Sequence, residues 1–285
     1  MKYGRVVITG AKGGTGVSIV KEFRSAGYQV LGVDLKPPEW AEEDYRIIDL
    51  TDGAAVHDAF AGADAVVHFG SYPGDTYHAW DEVYRNIVIG GFHVFQACAN
   101  LGIQRIAYAS SPTVYGSPDV PPYLPADENW PLAPSSIYGA AKQNLETLAR
   151  NYCRWNQDMA IAALRTCRIV YEQSFNWRFR HHTEDPRSAA SALWSYSDAR
   201  DVATACRAWI ESDLTGFEAF DVAAEDVCMD IPTAELVEKQ LPHDVEIRES
   251  PVGHRALISC RKLRSMLGWE PRYTWRDMER EAEGD

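Results

Sequence analysis

Short apolar runs alternate with amphipathic stretches through the first 165 residues of the chain. The runs have the length and β-branched content of buried strands, whereas the stretches between them repeat apolar residues every three or four positions. The pattern predicts strands at Arg5–Thr9, Tyr28–Val33, Arg46–Ile48, Ala65–Phe69, Arg105–Ala109 and Ala160–Arg165, and helices at Val17–Phe23, Ala54–Phe60, Glu82–Asn100 and Ser136–Trp155. Because such alternation is typical of right-handed crossovers, we predict an α/β fold with a doubly wound parallel sheet.

The periodicity weakens beyond residue 165. The segment 171–194 mixes Trp, Arg, His and Pro and predicts loops, and the next clear helical pattern is Asp201–Glu211. We therefore expect residues 1–165 to form the sheet domain. Residues 166–285 would form mainly a small C-terminal cap, with a part at about 195–212 returning to the sheet domain.

A glycine-rich turn connects the first predicted strand to the first helix. The segment TGAKGGTG, residues 9–16, contains Gly10, Gly13 and Gly16. A side chain at any of these positions would keep the backbone N–H groups away from a bound pyrophosphate. The N-terminus of the helix that follows carries partial positive charge and favours binding of such an anion. A glycine-rich turn that binds nothing is the alternative, and for an isolated pattern it is about as common.

An acid at the end of the second predicted strand favours the ligand-binding interpretation. Asp34 follows Gly10 by 24 residues, where the ribose of a dinucleotide would bind. A carboxylate there accepts a hydrogen bond from the 2′-hydroxyl of NAD and repels the 2′-phosphate of NADP. Lys36 would tolerate that phosphate, but the balance favours NAD in a Rossmann-type fold.

Polar residues with catalytic potential follow the fifth predicted strand. The segment SSPTVYG begins at Ser110, and Tyr138 and Lys142 lie four residues apart near the start of the next helix, on one face. A phenol has a pKa near 10, and a neighbouring ammonium stabilises its anion. Tyr138 would then be a general base for a substrate hydroxyl. Taken alone, a Tyr-x-x-x-Lys spacing is more often a plain surface turn of a helix.

Together these motifs resemble the extended short-chain dehydrogenase/reductase family of NAD-dependent sugar epimerases, dehydratases and dehydrogenases. Further matching segments are Asp49-Leu50, His68-Phe69-Gly70, SDARDVA at 197–203 and LGWEP at 267–271. They keep the order of the family over nearly the whole chain. The resemblance implies a Rossmann-type sheet, a small C-terminal substrate-binding cap and NAD as cofactor, and it leaves the substrate open.

The resemblance also implies roles for individual residues. Ser111 would hydrogen-bond the reacting oxygen, Tyr138 would transfer its proton and Lys142 would hold the nicotinamide ribose, so these three are the predicted catalytic residues. The predicted cofactor-binding residues are Gly10, Gly13, Gly14, Thr15, Gly16, Asp34, Asp49, Leu50, Phe69, Gly70, Ser110, Tyr138 and Lys142. The predicted substrate-binding residues are Ser71, Ser111, Thr113, Cys167 and Arg168, and Ser110 or Thr113 could exchange roles with Ser111. A homodimer through the stretches around 82–100 and 138–155 is implied as well.

The chain departs from the family pattern at three places. It has Ser-Pro-Thr at 111–113 in place of Thr-Asp-Glu, and without the carboxylic acid a 4,6-dehydratase is not expected. The family's helical Asn, three residues before a glycine, is replaced by Ile87; Asn86 is displaced by one and is therefore a poor candidate for a cofactor contact. Arg168 stands where nucleotide-sugar epimerases tend to place a neutral amide.

Charge is distributed unevenly along the chain. With 28 Lys+Arg against 41 Asp+Glu the formal net charge is −13, which argues against nucleic acid and anionic membranes as partners. Five arginines nevertheless lie between 165 and 187, with two histidines and two interleaved aromatic residues. They are Arg165, Arg168, Arg178, Arg180 and Arg187, accompanied by His181, His182, Trp177 and Phe179. The cluster favours recognition of a small carboxylate or phosphate, with Arg168 as the strongest candidate. Solvated loop arginines around a structural Arg165 are the alternative.

Other features exclude further classes. No apolar run reaches the roughly 18 residues of a membrane span, and we expect no signal peptide. The six cysteines are scattered without a Cys-x-x-Cys pair and the eight histidines form no HExxH motif, so we expect no metal, no disulfide framework and a reducing, cytoplasmic location.

We therefore predict an NAD-dependent oxidoreductase that removes hydride from a hydroxyl-bearing carbon of a sugar or sugar acid, with Tyr138 as general base. A nucleotide-sugar 4-epimerase with tightly bound NAD is the alternative. A non-catalytic NAD-binding scaffold is disfavoured because Ser111, Tyr138 and Lys142 are all present.

Overall fold

Seven parallel strands form the central sheet of the computed structural model, which describes residues 4–37, 44–74, 78–117, 121–171 and 185–283. Together with two strands outside this sheet, β7 and β8, the described strands are β1 (Arg5–Thr9), β2 (Gln29–Asp34), β3 (Tyr45–Ile47), β4 (Ala65–His68), β5 (Arg105–Ser110), β6 (Ala160–Thr166), β7 (Ile169–Val170), β8 (Ser197–Asp198) and β9 (Gly216–Val222). The sheet order is β3-β2-β1-β4-β5-β6-β9, and β7 pairs with β8 separately. The chain reverses its direction of growth between β1 and β4, which places a crevice at their carboxyl ends.

Helices cover both faces of this sheet. They are α1 (Gly14–Ser25), α2 (Gly53–Phe60), α3 (Trp80–Tyr84), α4 (Gly90–Leu101), α5 (Ile137–Trp155), α6 (Pro186–Ala189), α7 (Ala199–Glu211), α8 (Thr233–Gln240), α9 (Arg261–Leu267) and α10 (Trp275–Glu283). Successive residues of β1 serve opposite cores, since Val6 and Ile8 pack with α1 and α7 while Val7 packs with α2, α4 and α5. The prediction of a doubly wound α/β fold is confirmed.

Local chemistry explains where the site-bearing helices begin. The hydroxyl of Ser136 accepts the N–H of Gly139 at 3.0 Å and caps α5. Asp198 caps α7 in the same way by accepting the N–H of Arg200 at 2.8 Å. Such caps satisfy amides that have no partner within the helix, so they fix the residue at which each helix starts.

Several elements differ from the prediction, among them α6 (Pro186–Ala189), which lies in the segment 171–194 that predicted loops. The single helix expected at Glu82–Asn100 is α3, a π turn at Arg85–Ile89 and α4 in succession. The strand β9 was not predicted at all, because polar Glu218 and Asp221 interrupt its apolar pattern at the edge of the sheet.

Part of the predicted basic cluster lies outside the described residues. This applies to Trp177, Arg178, Phe179, Arg180, His181 and His182. Among the residues that the structure describes, no helix combines the length and apolar character needed to cross a membrane. In the same part of the chain, no three or more His, Cys, Asp or Glu side chains are grouped so as to hold a metal ion.

Candidate active site

The glycine turn between β1 and α1 is fixed by two close backbone approaches. Gly10 has φ +72°, and a Cβ there would lie 2.6 Å from the carbonyl carbon of Phe69. A Cβ at Gly16 would lie 1.9 Å from the carbonyl oxygen of Gly10. No side chain fits at either position, so the packing of the turn itself requires both glycines. Gly13 is exposed, and its N–H donates to the carbonyl of Gly10 at 3.0 Å.

A cavity of about 520 Å³ opens beside this turn, at the carboxyl ends of β1, β2 and β4. Asp34 lies at its rim, with Oδ2 accepting the N–H of Lys12 at 3.0 Å and Oδ1 accepting the N–H of Leu35 at 2.7 Å. A carboxylate has about four acceptor sites, so Asp34 keeps capacity for ribose hydroxyls. The glycine turn, the free amides in the first turn of α1 and this carboxylate fit an adenine dinucleotide. Other predicted cofactor residues that line the cavity are Gly10, Gly13, Leu50, Phe69 and Gly70.

His68 joins the ends of β1 and β4 as a buried, neutral side chain. Its Nδ1 lies 2.7 Å from the hydroxyl of Thr9, which accepts the N–H of Gly70 at 3.1 Å. Burial, assisted by the charge of Lys142, lowers the pKa of His68 to about 3. The neutral ring has one N–H donor and one acceptor nitrogen, so Nδ1 can either accept from or donate to the Thr9 hydroxyl, depending on the tautomer.

We expect His68→Asn to make the fold less sensitive to acid. A histidine in the unfolded chain takes up a proton near pH 6.5, whereas folded His68 does so near pH 3, so the folded state loses stability as the pH falls through this interval. Between pH 7.5 and 4.5 this proton uptake lowers the free energy of unfolding of the wild type by about 2–3 kcal/mol, a loss that the variant would not show. Urea unfolding at both pH values measures the difference, and an equal loss in the two proteins would contradict the neutral His68.

Lys142 is buried on the second turn of α5 at the carboxyl edge of the sheet. Its Nζ donates to the carbonyl of Ala109 at 2.8 Å and to the hydroxyl of Ser71 at 3.0 Å. The same Nζ lies 5.5 Å from the ring centre of Tyr138, one turn earlier in the helix. Burial lowers the pKa of Lys142 to about 7, and the charge of Glu146 opposes that shift. An ammonium group has three donors, so one remains after the two internal hydrogen bonds.

The loop after β5 brings Ser111 against the start of α5. Ser111 is buried, and its hydroxyl accepts the N–H of Thr113 at 3.3 Å to cap a short 3₁₀ turn, Pro112–Tyr115. A Cβ at Gly139 would lie 2.6 Å from the carbonyl oxygen of Thr113. Only a glycine therefore lets the turn that carries Tyr138 pack directly on the loop that carries Ser111.

Ser110 and Ser111 have different surroundings although they are adjacent. The hydroxyl of Ser110 donates to Oε1 of Glu146 at 2.6 Å inside the protein. Ser110 could replace Ser111 only by giving up that buried hydrogen bond. Thr113 is exposed and lies on the outer side of the same turn.

A buried ion pair lies behind these residues. Arg165 of β6 donates to both carboxylate oxygens of Glu146, at 2.9 and 2.7 Å, and both side chains are almost fully inaccessible. Arg165 also donates to the hydroxyl of Tyr115 at 2.8 Å, and that hydroxyl donates to Asp221 at 2.7 Å. Burial raises the pKa of Asp221 well above its usual range, assisted by the carboxyl of Glu128. The sequence suggested a structural Arg165, but nothing in it indicated Glu146 or Asp221 as partners.

The π turn places Asn86 at the cavity. Asn86 is buried, lines the cavity and accepts the N–H of Tyr72 through Oδ1 at 2.9 Å. Asn86 lies four residues before Gly90, one more than in the family pattern. A π turn contains one residue more than an α turn, so the π turn between them compensates for this extra residue. The spacing in the sequence made Asn86 a poor candidate for a cofactor contact, whereas in the structure it lines the cavity and is therefore a candidate again.

The remaining predicted residues occupy varied positions. Asp49 is exposed, and its carboxylate accepts the N–H and hydroxyl of Thr51 in a local turn. Cys167 is buried, its N–H donates to the hydroxyl of Ser197 at 2.9 Å, and burial raises the pKa of its thiol well above the usual range. Two of the others, Gly14 and Thr15, form the first turn of α1.

The model of the NAD dependent epimerase/dehydratase family matches residues 6–223. A uronate dehydrogenase from Pseudomonas putida is 35% identical over 155 residues, which are 53% of this chain and 56% of that protein. An NAD-dependent glucose-6-phosphate dehydrogenase from Haloferax volcanii is 28% identical over 227 residues, 73% of this chain and 80% of that protein. A UDP-glucose 4-epimerase from Bacillus subtilis is 28% identical over 176 residues, which are 56% of this chain and 51% of that protein. The chain thus spans about half the length of the uronate dehydrogenase and of the epimerase.

Solved structures show the same architecture. A short-chain dehydrogenase/reductase superfamily protein from Agrobacterium tumefaciens, with bound NAD, superposes with a TM-score of 0.75 at 24% identity. The superposition covers 98% of this chain and 95% of that one. At this identity the likeness shows the fold, and it agrees with the family resemblance drawn from the motifs.

Proposed function

Because the chain belongs to the NAD-dependent epimerase/dehydratase family, we propose that it is a dehydrogenase that oxidises a hydroxyl of a sugar or sugar acid, with NAD as its cofactor. The observation that carries this proposal is the packing of the Tyr138 turn on the Ser111 loop, with the Lys142 ammonium 5.5 Å from the Tyr138 ring. The Lys142 ammonium also donates to Ser71, which lines the cavity that fits the dinucleotide, so this group of residues lies one contact away from that cavity.

Each of the three residues has a separate task. Ser111 orients the substrate hydroxyl, and Tyr138 accepts its proton while the C–H bond on the same carbon breaks. Lys142 stabilises the phenolate form of Tyr138 through its charge, and its third N–H is available to a ribose hydroxyl. Bound NAD supplies the hydride acceptor.

The cofactor would be held by the carboxyl ends of β1, β2 and β4. The amides at the start of α1 would bind the pyrophosphate, and Asp34 would accept a ribose hydroxyl. Leu50 would pack on the adenine, whereas exposed Asp49 would reach it from the rim. The remaining members of the proposed set are Gly10, Gly13, Gly14, Thr15, Gly16, Phe69, Gly70 and Ser110.

Oxidation of the sugar is favoured over epimerisation. The relatives that support it are the uronate dehydrogenase and the glucose-6-phosphate dehydrogenase, and the UDP-glucose 4-epimerase supports the second candidate. A panel of neutral sugars, uronates and sugar phosphates with added NAD tests the choice. Continuous NADH formation supports a dehydrogenase, whereas interconversion of UDP-sugars by tightly held NAD, without net NADH, would establish the epimerase.

We expect Asp34→Ala to weaken the preference for NAD over NADP by about tenfold or more. The substitution removes the acceptor for the 2′-hydroxyl and the charge that repels a 2′-phosphate, and Lys36 on the same rim then favours the phosphate. The ratio of kcat/KM for the two cofactors measures the change. Asp58→Ala, which removes an equally charged but exposed side chain from α2, is the control. An unchanged ratio in the Asp34 variant would remove Asp34 from the ribose site.

We also propose that the enzyme is a homodimer through the stretches around 82–100 and 138–155. Large apolar side chains are exposed there, including Ile89, Phe92 and Trp155. Exposed apolar patches are typical of protein contacts. Light scattering should then give twice the chain mass of 31.9 kDa, and a single-chain mass at assay concentrations would contradict the proposal.

A further inference from the structure

Arg168 follows β6 with an unusual backbone and an unsatisfied side chain. Its φ is +32°, a left-handed value that non-glycine residues adopt at the expense of strain. Its Nη2 is buried and has no hydrogen-bond partner among the described residues. Burial raises the pKa of the Cys167 and Cys228 thiols, and the charge of Arg168 opposes both shifts, so its identified neighbours include thiols.

The two other arginines that the structure describes in the same region, Arg165 and Arg187, are satisfied. Arg165, three residues earlier, donates from Nε and Nη2 to the Glu146 carboxylate and from Nη1 to the Tyr115 hydroxyl. Arg187 is exposed and pairs with Asp185 at 3.1 Å.

Buried guanidinium donors nearly always have partners, because leaving a charged donor unpaired is unfavourable. The Nε atoms of Arg105 and Arg264 are also buried with no hydrogen-bond partner among the described residues, but of these three arginines only Arg168 combines an orphaned nitrogen with a left-handed backbone. That combination points to a group that arrives from outside.

Sheet register places Arg168 at the edge where the catalytic loop emerges. Ser110 of β5 pairs with Arg165 of β6, and the two strands are parallel. Ser111 and Arg168 therefore both follow strands that end at the same carboxyl edge. Ligands of doubly wound sheets bind outside this edge.

We propose that Arg168 binds the anionic group of the substrate, a carboxylate or a phosphate on a monosaccharide, and thereby determines specificity. This inference rests on the proposed function, since it names the substrate class of that same site. The guanidinium presents paired donors that match either anion in a bidentate manner. In a chain of net charge −13, an arginine for which the described residues show no ion pair also attracts such a substrate to this crevice.

The decisive experiment compares glucose, glucuronate, glucose 6-phosphate and UDP-glucose as substrates. The proteins are the wild type, Arg168→Gln and Arg261→Gln, which removes the same charge from a largely exposed side chain of α9. We expect Arg168→Gln to lower kcat/KM for the preferred anionic monosaccharide by about 10–100-fold, the range of a charge-assisted hydrogen bond. The value for glucose should change less than threefold, and Arg261→Gln should resemble the wild type. Comparing glucuronate with glucose 6-phosphate identifies the anion.

Two kinetic outcomes would overturn the inference. One is an equal loss for glucose and for the anionic sugars, and the other is a strong preference for UDP-glucose, which would assign the arginine to a nucleotide diphosphate. Thermal unfolding of Arg168→Gln should match the wild type, because the buried Nη2 has no partner to lose; a large drop would indicate a structural role instead. Arg168→Lys keeps the positive charge but lacks the paired guanidinium donors. It should therefore be more active toward the anionic substrate than Arg168→Gln, but less active than the wild type.

Binding separates this inference from the proposed function. Calorimetry of the NADH complex with glucuronate and with glucose 6-phosphate needs no turnover. If no sugar reduces NAD, the dehydrogenase proposal fails, while loss of anionic-sugar binding in Arg168→Gln alone still supports the arginine. Unchanged binding of both anionic sugars in that variant overturns its role.

Discussion

Tyr138→Phe is expected to lower kcat for sugar oxidation by about 10³-fold. The phenylalanine keeps the ring beside the Lys142 ammonium, and only the hydroxyl that accepts the substrate proton is lost. Positioned general bases contribute about 10²–10⁴-fold to such steps. The initial rate of NADH formation with the best sugar of the panel measures the effect.

The control for this variant is cofactor binding. The residues proposed to hold NAD lie mainly in the glycine turn and at the ends of β2 and β4, so calorimetry should give an NAD affinity within about twofold of the wild type. A variant that retained more than a tenth of the activity would remove Tyr138 from the role of base. Loss of both activity and NAD affinity would point to disruption of α5 instead.

Arg165→Met should destabilise the fold by about 3–5 kcal/mol, because it leaves the Glu146 carboxylate buried without the cation that neutralises it. Ser110 would remain as the one side-chain donor that the described residues give to Glu146. Urea unfolding at neutral pH measures the loss. Combining Arg165→Met with Glu146→Leu should restore a large part of the stability, since an apolar pair replaces a buried charge.

Arg207→Met is the matched comparison. Arg207 pairs with Glu22 at 2.7 Å and with Glu211 at 3.1 Å, but its side chain is 35% exposed. Each ion pair in contact with water contributes about 0.2–1 kcal/mol, so losing both should cost this variant less than about 2 kcal/mol. Similar losses in Arg165→Met and Arg207→Met would show that burial does not determine the strength of the Arg165 pair.

The parts of the fold that the sequence predicted are those encoded locally. Strands buried on both faces are continuous apolar runs, and the turn around Gly10 and the Tyr138–Lys142 spacing lie within a few residues each. Strand β9 escaped prediction because it is an edge strand whose Glu218 forms an ion pair with Lys262 at 2.7 Å and whose Asp221 enters the buried polar cluster.

The polar cluster behind the site could not be predicted from local patterns. Ser110, Glu146, Arg165 and Asp221 come from four separate elements, and 106 residues separate Tyr115 from its partner Asp221. No periodicity or motif relates positions so far apart. Only the sheet order, which places β5, β6 and β9 side by side, brings them together.

The π turn between α3 and α4 has a consequence for comparing chains of different length. It behaves as a one-residue insertion that the helix absorbs locally, so Asn86 stays at the cavity while α4 keeps its packing. Deleting one residue between Asn86 and Gly90 should restore a regular α-helix and place the asparagine three residues before the glycine, the spacing that the family resemblance implies. Chains with and without the extra residue can therefore present the same amide, and an ungapped alignment through this helix would match Ile87 to it instead.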